Sequence, residues 1–385
     1  MSVSLVLALA ACPGRQVRER PPLADPVAGS DGNVVTSMLA ELADDVLTAY
    51  ERDEPPEIET GMIPPQIGGA RIGVGPGDVL IAGELERAPS RWPLRVEGDR
   101  VTEVRSKRLE THLAQDLSAA WVADELSWRI SFCGRVAVIP LRITMLYARD
   151  GDRWVPVFEH TSFGHPPAPR RDGQLYGATI PAAVINGDLR DALSRVAAPV
   201  LFNQIARDPS VVATGPEAML LGPDVNAEWH GADVLRAQLA GGRITAEDRR
   251  IGTVGRSPGT SSIAYWIGNV IADLPARPGV AAGKSRLRAT MVFEKRRFLG
   301  AKDKAETKSC GVDENNCRWV LVQAHLSQPI SDQDLATRVF GTALVSTALE
   351  SGEPLRVTCD DGSPTARTTV PEAAPRRPAA AQGNP

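Results

Sequence analysis

Nine residues occur twice in this chain with little change. "WVPVFEHTS" runs from Trp154 to Ser162, and "WVLVQAHLS" runs from Trp319 to Ser327, 165 positions later. Five of the nine are identical, among them Trp and His, which the chain uses only seven and five times. Chance is a poor account of such an echo, and a duplicated unit must fold twice on one plan. Further pairs follow in the same order. Gly75-Pro76 with Leu80 answers Gly215-Pro216 with Leu220 at a spacing of 140, and Trp92 answers Trp229 at 137. "SAAW" (Ser118–Trp121) answers "SIAY" (Ser262–Tyr265) at 144, and "LRITM" from Leu141 answers "LRATM" from Leu287 at 146. The final widening to 165 places an insertion between Thr290 and Trp319, the stretch that holds Cys310 and Cys317. The chain reads as two copies of one domain.

Its length of 385 residues suits two domains. The predicted boundaries are a signal segment over 1–11, a tether over 12–33, a first domain over 34–168, a linker over 169–186, a second domain over 187–350 and a largely disordered tail over 351–385. Each copy opens on an amphipathic helix, predicted over Val35–Tyr50 and Asp188–Ala206, and continues into strands. The predicted class is α+β: two tandem cone-shaped domains, each with N-terminal helices packed on a curved antiparallel sheet.

Val3–Ala11 is an apolar run too short to span a bilayer as a helix, and Cys12 follows it directly. "LAAC" (Leu9–Cys12) resembles the lipobox of bacterial lipoproteins. That resemblance implies cleavage before Cys12, acyl chains such as palmitate on that residue, and a lipid-anchored address in the bacterial envelope facing the periplasm or exterior. In that oxidising compartment Cys310 and Cys317, flanking a turn-rich hexapeptide, are expected to form a disulfide. No nearby His completes a metal-ligand set with them, so no metal is expected there.

The ordered set "AAWVADEL", "LRITMLYARDGDRW" and "WVPVFEHTS", with "GPDVNAEWHGADVLRAQL", "LRATMVFEKRR" and "WVLVQAHLS" in the second copy, resembles the SnoaL-like branch of the nuclear transport factor 2-like superfamily. The resemblance implies a cone with a pocket in its mouth and frequent dimerisation, here met within the chain by the two copies as a pseudo-dimer. Its members include isomerases, cyclases, hydrolases and non-catalytic binding or assembly domains, so fold alone does not name an activity.

A two-residue turn at Asp150-Gly151 sets Arg149 opposite Asp152, Tyr147 opposite Trp154 and Leu141 opposite His160. Alternation then puts Trp154, Phe158, His160 and Ser162 on one face with Leu141, Ile143 and Met145, and Arg142 with Glu159 on the other. A single-residue bulge would reverse that assignment. In a catalytic reading His160 is the general base, with Ser162, Arg142 and Glu159 in support. In a binding reading Trp121, Trp154, Phe158, Tyr265, His325 and Ser327 line a site for a small apolar ligand. In a structural reading the two His bond a Thr or a carbonyl and close the core. The second copy lacks a paired acid, since Ala324 stands where the first has Glu159, which favours a non-catalytic binding or assembly role. His112 and His165 read as incidental, and His230 as structural. No cofactor is expected. A net charge of −4 gives no case for nucleic acid, leaving the membrane, a small ligand or a protein as partners.

Overall fold

In the computed structural model, the described residues are 32–51, 70–81, 102–165, 211–240, 244–254, 262–297, 317–338, 345–347 and 356–358, apart from positions 77, 115, 133–134, 214–217, 225, 275, 277, 279–280, 332–333 and 336–337. The elements are α1 (Gly32–Glu51), β1 (Ala70–Ile72), β2 (Val79–Ile81), β3 (Thr102–Ser106), β4 (Glu110–Leu113), β5 (Ala119–Phe132), β6 (Arg135–Asp150), β7 (Arg153–Phe163), β8 (Met219–Leu221), β9 (Glu228–His230), α2 (Ala232–Ala240), β10 (Ile244–Val254), β11 (Ile263–Leu274), β12 (Gly283–Arg297) and β13 (Cys317–Ser327). A short pair, β14 (Val345–Thr347) and β15 (Arg356–Thr358), follows. The class is α+β, mostly sheet with few helices. The Cys12 segment, the Asp188–Ala206 helix, the linker and Cys310 lie outside the described residues.

Two sheets carry almost all of this. The first runs β2-β1-β7-β6-β5-β3, with β4 also on β5; the second runs β9-β8-β13-β12-β11-β10. The orders correspond strand for strand. In each, a three-stranded meander ends on a strand that takes a short parallel neighbour, Ile72 beside His160 in one sheet and Leu221 beside His325 in the other. That register makes Ile72 the counterpart of Leu221, a spacing of 149. It corrects the Gly75/Gly215 pairing: Gly73 answers Gly222, each bonding forward to a carbonyl five residues on. Trp229 stands where β2 has Leu80, so Trp92 is not its counterpart.

The hairpin register also differs from the expected one. The turn is Gly151-Asp152, with Asp150 opposite Arg153 and Gly151 in the left-handed region at φ 64°. Pairing then slips by one residue: Tyr147 faces Pro156 but Leu146 faces Phe158, leaving Val157 as a bulge. The second sheet slips at the matching place, Phe293 facing Leu321 and Val292 facing Gln323, so Val322 is the bulge. The second Val of the repeated motif is therefore the bulged residue in both copies.

The bulge turns the strand over. Trp154 lies on the outer face, its Nε1–H donating to the Met38 carbonyl of α1 at 3.3 Å, in a core with Leu42, Val46, Ile143, Met145 and Tyr147. Helical spacing buries Leu42 and Val46 while Val34 and Leu47 stay exposed. Beyond the bulge, Phe158, His160 and Ser162 face the opposite way. There the first sheet packs on the second in one core that includes Ala70, Trp121, Leu146, Phe158, Tyr265 and Phe293.

Candidate functional site

At the centre of this seam the rings of His160 and His325 stack, centroids 3.9 Å apart and 18° from parallel. Both are fully buried. Each is held by the other sheet. His160 Nδ1 meets Thr290 Oγ1 at 2.8 Å and its Nε2 meets Ser327 Oγ at 2.8 Å. Reciprocally, His325 Nδ1 meets Thr144 Oγ1 at 3.0 Å and its Nε2 meets Ser162 Oγ at 2.8 Å. The Ser of each His-x-Ser caps the histidine of the other copy, and the Thr of each "LR-x-TM" completes it. A pattern in which residue i meets j while j's counterpart meets i's is that of a two-fold interface. Ser118 and Ser262 also approach one another, Oγ to Oγ at 3.5 Å, with Asp116 Oδ1 accepting from both.

Four such contacts leave every imidazole nitrogen partnered. The Gln323 amide also donates to Thr144 Oγ1 at 2.6 Å. The rings are neutral. Burial lowers the His160 pKa well below the ordinary value, and the His325 and Arg288 charges lower it further. Burial and the Arg142 charge bring His325 down to about 3. Such a base is proton-free at neutral pH yet too weak to abstract a proton there, and no solvent reaches it.

Two buried arginines flank the pair. Arg142 Nη1 donates to the Gly222 carbonyl at 2.6 Å and the Ala227 carbonyl at 3.2 Å. Arg288 donates to the carbonyls of Gly73, Gly75 and Pro76, each at 2.7 Å. Each arginine thus clamps the loop after the parallel strand of the opposite sheet. The clamped glycines are needed for close approach: a Cβ at Gly73 would lie 2.7 Å from Asp78 Cβ, and one at Gly222 would lie 2.8 Å from Ala227 Cβ. Burial lowers both guanidinium pKa values, Arg288 to about 10.

His160, Ser162, His325, Ser327, Arg142, Phe158, Tyr265 and Trp121 all lie at the seam, with Phe158 stacked on Tyr265 at 5.0 Å. Trp154 does not, because the bulge sends it under α1. Nor does Glu159, which faces away from His160 and pairs with buried Arg71 of β1 at 3.5 Å. The expected Arg142–Glu159 cross-strand pair is replaced by Arg142 opposite Ser162 and Met145 opposite Glu159. His165, read as incidental, is buried, its backbone N–H donating to the Pro223 carbonyl at 2.9 Å. Cys317 is disulfide-bonded. Sequence reasoning passed over Thr144, Thr290, Gln323 and the clamping role of Arg288. The Thr and Arg were visible as shared letters of "LRITM" and "LRATM".

A cleft of about 10 Å³, open to solvent on one side, is lined in part by Arg108, Glu110, Asp124, Arg142 and Glu228. Pockets that enclose a drug-sized ligand run from about 300 to 1,000 Å³.

No family model matches the chain, and no curated protein does. Among solved structures it is similar to an uncharacterised protein with a cystatin-like fold from Caulobacter vibrioides, at 14% identity over 40% of this chain and 100% of that one, with a TM-score of 0.27. It is similar to the association domain of C. elegans CaMKII at 14% identity over 37% and 93%, with a TM-score of 0.24. An Ntf2-like protein involved in plasmid conjugation matches at 8% identity over 60% and 79%, with a TM-score of 0.20. Likeness at this level leaves the activity of the chain unassigned.

Proposed function

We propose that the chain is a non-catalytic assembly module, in which two copies of one nuclear transport factor 2-like domain pack face to face as an intrachain pseudo-dimer tethered to a bacterial membrane by lipid on Cys12. One observation carries the reading: the repeated His-x-Ser motif is consumed in reciprocal capping, so its histidines are core rather than pocket groups. The neutral, solvent-free rings and the modest cleft favour this over His160 as general base, and over a small apolar ligand held at the seam. No described helix is long and apolar enough to cross a membrane, so the tether rests on the lipobox alone.

Treating the native protein with diethyl pyrocarbonate and mapping adducts by mass spectrometry tests the core assignment. His160 and His325 are expected to remain unmodified until the protein is denatured, while His230, whose side chain is 15% exposed, reacts. Adducts on His160 in the folded chain would mean an open site and return the isomerase or hydrolase reading. The tether has its own check. Cys12→Ala is expected to abolish metabolic labelling with a fatty-acid analogue, and persistent labelling would remove the lipoprotein assignment.

A further inference from the structure

We propose that residues 136–139 of β6 form a docking edge for a second copy of this chain, which adds its own β6 antiparallel across a two-fold axis. β6 is 16 residues long, and β7 flanks only part of it. Their pairing stops at Leu141 opposite Phe163, after which the chain leaves the sheet, the His165 N–H donating to the Pro223 carbonyl beyond β8. From Arg135 to Pro140, β6 pairs with β5 alone among the described residues. An edge of this kind presents unpaired N–H and C=O groups that another strand extends. Its side chains are apolar. Ala137 and Ile139 turn to the outer core. Val136 and Val138 share the opposite face with Arg142, and at 55% and 57% they are the most exposed large hydrophobic residues described.

The duplication supplies a comparison within the molecule. β12 outruns β13 in the same way, its pairing with that strand starting at Arg288 opposite Ser327. Four residues before the clamping arginine, the second copy has Lys284 where the first has Val138. Lys284 is exposed and stands opposite exposed Asp273, so that edge carries the kind of charge that keeps other strands off. The first copy lacks this guard. Only Pro140, without an N–H, limits pairing there, at the end nearest β7. The face that bears the valines is the one that already joins this unit to its own duplicate, so the edge continues an interface between like sheets. The stretch is also self-complementary. With Ala137 on the axis, Val136 of each copy stands opposite Val138 of the other, a β-branched pair on one face. A charged foreign strand finds no match, because Arg105 and Arg129 on the neighbouring strands already pair with Glu103.

This inference deepens the assembly reading by naming its partner, and rests on that reading for nothing else. Sedimentation equilibrium of the full chain carrying Cys12→Ala, which keeps acyl chains out of the measurement, is expected to show a reversible monomer–dimer equilibrium. Val138→Lys, the residue the second copy already carries at that position, should weaken the dimer by about tenfold or more without lowering the Tm. Hydrogen exchange should slow at residues 136–139 between dilute and concentrated protein, which locates the contact. A chain that stays monomeric at every concentration overturns the homotypic edge, and Val138-dependent binding of that monomer to phosphatidylglycerol vesicles would make the edge a membrane contact instead. A dimer indifferent to Val138→Lys, with exchange at 136–139 unchanged, lies elsewhere and overturns it too. Neither result touches the buried histidine pair, so this inference and the assembly reading fail separately.

Discussion

Lowering the pH from 7.5 to 5 is expected to weaken the fold by about 2 kcal/mol through His325 alone, with His160 adding in the same direction. The sign follows from where the protons go. In the folded chain His325 titrates at about 3, against an ordinary value of 6.5, and His160 is lowered likewise. The unfolded chain therefore takes up protons first as pH falls. The contribution of the neutral pair is whole above pH 6.5 and is lost progressively from there down toward the folded values. Nothing at the seam can absorb the new charge: the groups facing the two rings are Thr144, Thr290, Ser162, Ser327 and Gln323, and the nearest ions are the cations Arg142 and Arg288. Glu110, held down to about 2, loses its own contribution only below the ordinary carboxylate range, so the interval from 6.5 to 5 isolates the imidazoles. Urea denaturation at both pH values reads the effect, and His325→Gln should flatten the slope whatever it does to overall stability. Equal stabilities at pH 7.5 and 5 would show that the folded rings accept protons freely.

Arg288→Met should cost about 3 kcal/mol or more, at about 1–3 kcal/mol for each buried carbonyl that loses its donor. Three carbonyls of one loop, Gly73, Gly75 and Pro76, point at this guanidinium, and an apolar side chain takes that donor from all three, leaving Gly75 the Asp78 N–H. Arg288→Lys should recover little, because a single ammonium cannot reproduce the planar fork that reaches all three. Arg142→Met should cost less, since its Nη1 serves two carbonyls, one of them at the longer 3.2 Å. Urea unfolding measures both. A loss under about 1 kcal/mol for Arg288→Met would mean that the loop finds other donors and that the clamp is incidental.

The correspondence between the two sheets was legible because their long strands repeat letters that do one job. His and Ser of the motif, and Thr of "LRITM", recur because they bond one another across the seam, while the repeated Arg holds a loop of the opposite sheet. The hairpin was legible from Asp150-Gly151, although its turn sits one residue later than that dipeptide suggests. Facing was not legible. A bulge adds one residue without requiring any particular type, and Val157 and Val322 look like ordinary strand residues, yet they send Trp154 and His160 to opposite faces. The short parallel strands were missed for another reason: three residues carry no measurable period, and their partners lie far along the chain. That concealed the Arg71–Glu159 pair and the loops that the arginines hold.

The segment leaving β13 crosses back to the outer face of the first sheet. There Ile330 and Leu335 are buried with Leu42, Val46, Ile143 and Trp128, and Ile330 donates its backbone N–H to the Val74 carbonyl at 3.0 Å. The first sheet's outer core is thus sealed by residues made after the whole of the second sheet. During synthesis the earlier half must leave the ribosome with an uncovered apolar face and wait for most of the remaining chain before it can close. Loop-closure entropy of that length makes the final step slow and exposes the nascent chain to wrong pairings. Closure of the first sheet's outer core therefore waits on a segment more than 160 residues beyond the last strand of that sheet.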